Sequence, residues 1–237
     1  LLLRIFRLSE WASSKLPAPK NTTNEKNEII QNHWGDIFEA VPNTNFIIDK
    51  KSKKLTKKIP VEETKIRTMV ILTCIWKRPK LTQIVLSNYK KLKEEVKEFL
   101  NLELVAVGSE GEKSKTICEE NGFYYFEYEN QPMSGKWNFG LQMTKKFNPD
   151  AVTIVGSDDI IDKQLLSFYN GKLNKGHLML GIKDFYIYDS KSQKLAYWRG
   201  YGKLNDAHRM DETIGLARCL SRPLLDKLNF NIWNDLN

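Results

Sequence analysis

The sequence has few cysteines, and their positions exclude two common kinds of stabilising site. The three cysteines of this 237-residue chain, Cys74, Cys118 and Cys219, are far apart, and none forms a C-x-x-C pair. An odd number of widely separated cysteines argues against a disulfide framework and against a structural zinc site. We therefore expect a reducing, cytoplasmic setting for the protein.

Long apolar segments are also missing. The longest apolar runs are Met69 to Trp76 and the opening Leu1 to Leu3, whereas a membrane-spanning helix needs about 20 apolar residues. The first eight residues combine apolar side chains with Arg4 and Arg7, which fits either an interfacial amphipathic helix or packing against the main domain. We therefore predict a soluble protein, with peripheral membrane contact through the N-terminal segment as the alternative.

The sequence contains no recognisable phosphate-binding loop and no nucleic-acid-binding module. Without a Walker loop or a G-x-G-x-x-G fingerprint, phosphoryl transfer and dinucleotide binding lose their usual support. Basic residues exceed acidic ones by 37 − 29, so the net charge is +8, which favours anionic partners without identifying one. Outside Lys50 to Lys58 the basic residues are spread along the chain, so we expect no nucleic-acid partner.

The chain changes character near residue 65. Residues 1–65 contain Pro17, Pro19 and the lysine-rich run Lys50 to Lys58, which indicates an N-terminal extension and a basic linker. Residues 66–237 form the main domain, in which apolar β-rich runs alternate with segments of helical spacing. This alternation predicts an α/β fold with a mostly parallel central sheet, helices on both of its faces and a small antiparallel portion.

The individual elements follow from the same periodicity. The predicted strands of the parallel part are Met69 to Trp76, Leu102 to Val107, Phe123 to Tyr128 and Ala151 to Val155. The helices between them are predicted at Leu81 to Phe99, Lys113 to Glu120 and Ser134 to Phe147. Beyond Asp162 we predict short antiparallel strands at Leu178 to Ile182, Phe185 to Tyr188 and Lys194 to Trp198, followed by a last helix from about Glu212 to Leu228.

Two adjacent carboxylates follow the last predicted parallel strand. The segment Gly156-Ser-Asp-Asp159 begins directly after Val155, and open parallel sheets bind ligands beyond the carboxyl ends of their strands. Mg²⁺ and Mn²⁺ prefer oxygen ligands and are commonly shared with substrate phosphates. Asp158 and Asp159 are therefore candidate metal ligands, and a turn followed by a helix cap is the structural alternative.

Two further segments contain candidate binding residues. Ser134-Gly-Lys-Trp-Asn-Phe-Gly140 places Lys136 at the start of a predicted helix, where an anion can bind; a solvated lysine is the alternative. Trp198 and Tyr201 have aromatic faces that suit an acceptor sugar, or else they anchor the antiparallel strands. His208 is a candidate third metal ligand, although a lone histidine is more often structural or exposed.

Four short motifs lie between residues 67 and 230: Thr73-Cys-Ile-Trp-Lys-Arg-Pro79, Lys136-Trp-Asn-Phe-Gly-Leu141, Val155-Gly-Ser-Asp-Asp-Ile160 and Arg209-Met-Asp-Glu-Thr-Ile-Gly215. In their order and spacing these motifs resemble the glycosyltransferase-A (GT-A) fold, especially the inverting family 2 glycosyltransferases. The sequence departs from that family at Gly156, where the fuller acidic motif has a carboxylate.

The resemblance implies inverting transfer of a sugar from a UDP- or GDP-sugar to a hydroxyl of a glycan or other acceptor, as in glycan biosynthesis. Mn²⁺ or Mg²⁺ would offset the charge that develops on the leaving diphosphate. By the same resemblance the base is Asp211 or Glu212, with Asp211 preferred. The implied donor-binding residues are Thr73, Trp76, Arg78, Glu110, Lys136, Asn138 and Asp158, the acceptor residues are Trp198 and Tyr201, and the metal ligands are Asp158, Asp159 and His208.

Three alternatives remain at this point. A binding protein of the same fold that has lost catalysis would explain the missing carboxylate at Gly156. A nucleic-acid-binding protein would use the net charge of +8, and its affinity would fall steeply with salt. A sugar-nucleotide-synthesising nucleotidyltransferase would carry a glycine-rich, arginine-containing loop after its first strand, and the segment Thr73 to Pro79 contains no glycine.

Overall fold

The computed structural model of the protein describes residues 2–6, 38–40, 46–49, 55–57, 66–190, 192–202, 207–210 and 212–234. The elements in these residues are, in chain order, β1 (Leu2–Phe6), β2 (Phe38–Ala40), β3 (Phe46–Asp49), β4 (Leu55–Lys57), β5 (Arg67–Cys74), α1 (Pro79–Val96), β6 (Leu100–Gly108), α2 (Glu112–Glu120), β7 (Tyr124–Glu127), α3 (Met133–Thr144), β8 (Ala151–Val155), β9 (Asp159–Ile161), α4 (Lys163–Asn174), β10 (Met179–Leu180), β11 (Phe185–Asp189), β12 (Lys194–Trp198), β13 (Arg218–Ser221) and α5 (Arg222–Lys227). Short 3₁₀ turns occupy Lys145–Phe147 and Ala207–Arg209.

The chain divides into two compact units. One comprises residues 1–11 and 66–237, and the other comprises residues 12–65. In the second unit β2, β3 and β4 form an antiparallel sheet in that order. The domain boundary that we place between residues 65 and 66 stays a prediction.

A six-stranded sheet forms the centre of the first unit, in the order β10-β13-β8-β5-β6-β7. β5 pairs in parallel with β6 on one side and with β8 on the other, and β7 continues the parallel arrangement beyond β6. β13 is antiparallel to β8 and to β10. The predicted mostly parallel sheet is therefore confirmed, and the carboxyl ends of its four parallel strands lie at one edge.

Helices cover both faces of this sheet. Because successive strand residues point to opposite faces, Met69, Ile71 and Ile75 contribute to one apolar core and Val70 and Leu72 to the other. Buried residues of α1, α2 and α4 belong to the first core, and those of α3 and α5 to the second. The predicted α/β arrangement with helices on both faces is confirmed.

The first helix illustrates how the sequence specifies its elements. Pro79 occupies the start of α1, where its missing N–H costs nothing and its fixed φ suits the helix. Its buried residues recur at the spacing of one helical face, and they include Leu81, Val85, Tyr89 and Val96. On the opposite face of the sheet, a Cβ at Gly140 would lie 2.9 Å from atoms of both Leu72 and Val107. A glycine there lets α3 pack directly against the strands.

The N-terminal residues form a strand, so the helical interpretation of this segment is wrong. β1 pairs in parallel with β9 and antiparallel with β11, within a four-stranded sheet of order β12-β11-β1-β9. Its backbone hydrogen bonds are thereby made across the sheet instead of along a helix. In the described residues no helix is long and apolar enough to cross a bilayer. Peripheral membrane contact through residues near the N-terminus stays a prediction.

Two predictions about helices need correction. Helix α4 was not predicted, although Asp162 caps it by accepting a hydrogen bond from the Leu165 N–H at 3.0 Å and its buried residues recur at helical spacing. The predicted helix from Glu212 to Leu228 is wrong: β13 occupies Arg218–Ser221 between β8 and β10, and only Arg222–Lys227 is helical. Cross-strand pairing of the buried Cys219 and Leu220 overrides the weak helical spacing of this segment.

Burial should make all three cysteines unreactive in the folded protein. Cys74, Cys118 and Cys219 are buried free thiols, and burial raises the pKa of each to about 12. Only about one thiol in ten thousand is then ionised at pH 8, and the thiolate is the reactive form. We expect an aromatic disulfide reagent at pH 8 to detect no rapidly reacting thiol in the native protein and three after unfolding. One fast equivalent per native chain would contradict this burial.

Candidate functional site

An open cleft lies at the edge where the four parallel strands end. Its volume is about 750 Å³, within the range of roughly 300–1,000 Å³ that is usual for ligand sites. The loops that follow β5, β6 and β7 supply its walls. The lining residues are Trp76, Ser109, Glu127, Tyr128, Glu129 and Asn130.

Trp76 also lines a second, smaller cavity, and two further predicted donor residues line the same cavity. This cavity has a volume of about 70 Å³, and Trp76, Arg78 and Glu110 line it together with residues of α1 and α2. The Trp76 side chain is largely exposed for an aromatic residue, at 41%, and Lys77 Nζ lies 4.1 Å from its ring centroid. Trp76 therefore presents an accessible indole surface instead of filling the core.

Glu110 fixes the backbone next to Trp76. Its Oε2 accepts a hydrogen bond from the Lys77 N–H at 2.7 Å, and Lys77 has φ of 53°. A non-glycine residue in this left-handed region is strained, and such strain persists where surrounding contacts hold it. The contact between Glu110 and Lys77 thus joins the loop after β6 to the loop after β5.

Arg78, which follows β5, forms an ion pair with Asp158, which follows the neighbouring strand β8. Arg78 Nη1 donates to Asp158 Oδ2 at 3.3 Å, and its Nη2 donates to the hydroxyl of Ser157. The Arg78 side chain is 47% exposed and that of Asp158 is 17% exposed. The structure therefore brings a guanidinium and one carboxylate of the acidic pair together at the predicted edge.

Asp159 points inwards, unlike its neighbour. It is fully buried, and its Oδ2 accepts a hydrogen bond from the Gly156 N–H at 2.6 Å. Its backbone carbonyl accepts from the buried Tyr89 hydroxyl at 2.9 Å. These contacts give Asp159 a role in closing the turn between β8 and β9.

The same turn explains the glycine at position 156. A Cβ at Gly156 would lie 2.6 Å from Asp159 Oδ2 and 3.2 Å from Asp158 Oδ1. Contacts below 3.0 Å require the neighbouring group to move. Any side chain at this position therefore conflicts with the present position of the Asp159 carboxylate, which would have to move and give up its hydrogen bond to the Gly156 N–H.

Lys136 lies beneath the open cleft and is fully buried. Its Nζ donates to the Ile75 carbonyl at 2.9 Å, to Ser109 Oγ at 2.7 Å and to Asn130 Oδ1 at 3.2 Å. Burial lowers the pKa of Lys136, and the nearby carboxylates of Glu127 and Glu110 oppose that shift. The solvated-lysine alternative is therefore wrong.

Thr73 and Asn138 lie away from these two cavities. Thr73 is fully buried in β5, and its hydroxyl makes no hydrogen bond with any described residue. Asn138 binds the C-terminal segment: its Oδ1 accepts from the N–H groups of Ile232 and Trp233 at 2.9 and 3.1 Å, and its Nδ2 donates to the Trp233 carbonyl at 2.6 Å. The parallel stacking of Trp137 on Trp233, with centroids 5.6 Å apart, supports the same segment.

The two predicted acceptor residues form an aromatic cluster on the antiparallel sheet. The rings of Trp198 and Tyr201 are perpendicular with centroids 5.2 Å apart, and Phe185 lies 5.1 Å from Trp198. The guanidinium of Arg209 lies 3.8 Å from the Tyr201 ring centroid, and its Nε donates to Glu212 at 2.9 Å. Trp198 and Tyr201 are half-buried and pack against the core, so both interpretations of these aromatics have a physical basis.

The remaining predicted site residues are the two candidate bases and the third metal ligand. Asp211, the preferred base, lies outside the described residues. Glu212 is exposed and forms the ion pair with Arg209, and His208 is exposed in the 3₁₀ turn. Within residues that the structure describes, no group of three His, Cys, Asp or Glu side chains could hold a metal ion.

Sequence reasoning missed several residues that line or support the cleft. Ser109, Tyr128 and Asn130 all line it, and the Ser109 hydroxyl also donates to the Tyr128 carbonyl at 2.7 Å. Their position directly after β6 and β7 was an available signal, since ligands of parallel sheets bind at that edge. Which loop residues turn towards the cleft could not be read from their order.

Comparisons with known proteins support the fold. No family model and no curated protein sequence matches the chain. Among solved structures, S. aureus TarS 1-349 is similar at 16% identity and a TM-score of 0.52, over 72% of this chain and 51% of TarS. This chain therefore spans about half of that structure. The likeness confirms the predicted GT-A-like, Rossmann-like α/β fold.

Two other solved structures are more distant. A cytidylyltransferase from Leptospira borgpetersenii matches at 14% identity and a TM-score of 0.41, over 72% of this chain and 66% of its own. The structure of CMP:2-keto-3-deoxy-manno-octonic acid synthetase complexed with CTP matches at 9% identity and a TM-score of 0.46, over 71% and 80% of the two chains.

Gly156→Ala should destabilise the protein because the added methyl group meets the Asp159 carboxylate at 2.6 Å. Overpacking of this kind typically costs about 1–3 kcal/mol, measurable as a lower free energy of unfolding in a denaturant titration. Gly171→Ala is the matched control: Gly171 lies in α4 with open space around its Cβ position, so alanine should stabilise by about 0.5–1 kcal/mol. Equal effects of the two substitutions would contradict the proposed close contact.

Proposed function

We propose that this protein is a glycosyltransferase that moves a sugar from a nucleoside-diphosphate sugar to an acceptor hydroxyl. The observation that carries the proposal is the position of Trp76, Arg78 and Asp158. They follow β5 and β8, the neighbouring parallel strands between which the strand order reverses. Open α/β sheets bind nucleotides in the crevice at such a switch point, and the GT-A-like fold is consistent with that use.

The chemistry of the cleft supports a position for the donor. The exposed indole of Trp76 offers a stacking surface for a uracil or guanine base, with Glu110 close by. The guanidinium of Arg78 suits a diphosphate, because its planar donors match phosphate oxygens. A partly exposed ion pair such as Arg78 with Asp158 is worth only about 0–1 kcal/mol, so a bound diphosphate can replace it at little cost.

A divalent metal fits this site as a group shared with the substrate. Asp158 offers a partly exposed carboxylate, whereas Asp159 is turned to the Gly156 N–H. Mg²⁺ is usually bound by one or two carboxylates together with substrate phosphates, so one accessible carboxylate is sufficient. Mn²⁺ or Mg²⁺ held by Asp158 would supply positive charge to the leaving diphosphate. We propose Asp158 as the metal ligand, with His208 and Asp159 as weaker candidates.

We expect the protein to bind UDP or GDP more tightly when Mn²⁺ is present, and Asp158→Asn to remove that enhancement. The reason is that Asp158 supplies the protein's ligand to a shared ion. Calorimetric titration of UDP, GDP, CDP and ADP, each with and without Mn²⁺, measures both effects. Asp226→Asn is the matched control, because Asp226 also pairs with an arginine, Arg222 at 2.7 Å, on α5. An enhancement by Mn²⁺ that survives in Asp158→Asn would exclude Asp158 as the ligand.

In the proposed reaction the acceptor hydroxyl attacks the anomeric carbon opposite the departing nucleoside diphosphate, which inverts the configuration. The acceptor oxygen forms the new glycosidic bond, the bond to the diphosphate breaks, and the acceptor proton passes to a carboxylate base. We propose Asp211 as that base on the strength of its motif. Glu212 is the second candidate, and it is engaged in an ion pair with Arg209.

Asp211→Asn should nearly abolish turnover while donor binding persists, because an amide cannot accept the acceptor proton. General-base catalysis typically contributes about 10²–10⁴-fold, so a loss in that range is expected. The assay is hydrolysis of the tightest-binding nucleotide sugar and transfer to a panel of glycan acceptors, with the donor Kd measured alongside. Glu212→Gln is the comparison. A larger loss of turnover in Glu212→Gln than in Asp211→Asn would identify Glu212 as the base instead of Asp211.

A nucleotide-sugar-binding protein without catalysis is the second candidate. The contact between Gly156 and Asp159 favours it, because the turn leaves no space for the carboxylate that the family's acidic motif carries there. The same titrations separate the two candidates when hydrolysis is measured afterwards. Metal-strengthened binding with slow donor hydrolysis supports the enzyme, and binding without turnover across broad acceptor sets supports the binding protein.

A further inference from the structure

Lys136 connects three loops of the candidate site through a single ammonium group. An ammonium has three N–H donors, and all three are used, by Ile75, Ser109 and Asn130. These acceptors follow three different parallel strands, β5, β6 and β7 respectively. With these bonds in place no N–H of Lys136 remains for a ligand phosphate.

Each of the three loops forms part of the open cleft. Ser109 and Asn130 line it directly, and Ile75 immediately precedes the lining residue Trp76. Ser109 extends the network, because its hydroxyl donates in turn to the carbonyl of Tyr128 at 2.7 Å. One buried cation is therefore hydrogen-bonded to the loops that form all three walls of the cleft.

Burying an ammonium group costs free energy, so the chain must compensate for the buried Lys136. Transfer of an unpaired charge from water to a protein interior is strongly unfavourable. Three hydrogen bonds and the nearby carboxylates of Glu110 and Glu127 offset the cost. Buried charges retained in this way can specify one arrangement of the surrounding chain.

We infer that Lys136 is a positioning residue: it does not touch the nucleotide, and it holds the loops after β5, β6 and β7 in the arrangement that binds it. The inference rests on the proposed function for the identity of the ligand. Its physical content, the ordering of three loops by one ammonium, can be measured without any ligand.

The first test is Lys136→Met, which removes the charge and the three donors while keeping a long side chain. We expect nucleotide affinity to fall about tenfold, equivalent to about 1.4 kcal/mol. We also expect amide hydrogen exchange to quicken in residues 75–78, 109–111 and 128–131 but not in β8. Lys163→Met is the matched control, since Lys163 is exposed at the start of α4, and it should change neither quantity.

A second comparison distinguishes positioning from direct phosphate binding. If Lys136 positions loops, Lys136→Met should lower the affinity for a nucleoside and for its diphosphate by similar factors. The pairs to compare are uridine with UDP and guanosine with GDP. Asn130→Ala and Ser109→Ala, which keep the charge, should reproduce part of that loss. The double variant that combines Lys136→Met with Asn130→Ala should bind the nucleotide as tightly as Lys136→Met alone, because the two residues act through one network. The inference would be overturned if Lys136→Met lost affinity only for the nucleoside diphosphate and Asn130→Ala lost none.

The outcomes also separate this inference from the proposed function. If the wild-type protein binds no nucleoside diphosphate, the proposed function fails, while hydrogen exchange still reports on Lys136. Should Lys136→Met not fold, exchange in Ser109→Ala and Asn130→Ala tests the same network, and faster exchange in the three loops is expected. Unchanged exchange in the folded variants would overturn the inference whatever the protein binds.

Discussion

The parallel pairing of β5, β6, β7 and β8 governs where the polar side chains of this protein can lie. β5 and its neighbours are buried on both faces, so almost every position along them is taken by packing. Parallel strands also end at one common edge. Polar and charged side chains are consequently displaced into the loops after β5, β6, β7 and β8, and the first three of these loops form the walls of one cleft. The candidate site is a result of that topology.

The charged groups at this edge divide into two kinds by burial. Lys136 and Asp159 are fully buried, and their hydrogen bonds go to the protein's own loops and turns. Arg78 and Asp158 are partly exposed and meet in an ion pair that contributes little to stability. Buried groups of the first kind hold loops and turns of the protein together: Lys136 bonds to the loops after β5, β6 and β7, and Asp159 closes the turn after β8. Groups of the second kind are the ones that we propose for the diphosphate and the metal ion.

Much of the fold could be predicted from the sequence, because its elements have strong local signals. The apolar run before Trp76, the proline at the start of α1 and the helical spacing behind it each identify an element without reference to the rest of the chain. Prediction failed where pairing decides the structure. The segment at β13 has a weak helical pattern but inserts between β8 and β10, and β1 joins a sheet whose other strands lie far along the chain.

For the site, the chemical groups that follow each parallel strand could be identified from the sequence, because they are neighbours of the strand along the chain. Trp76, Arg78, Glu110 and Asp158 are such groups, and they meet at the expected edge. The role of each group could not be identified in this way, because it depends on how the chain folds. Asn138 faces a segment more than 90 residues away, and Asp159 turns inwards beside Asp158. Side-chain direction and burial depend on contacts between distant residues, which no local pattern contains.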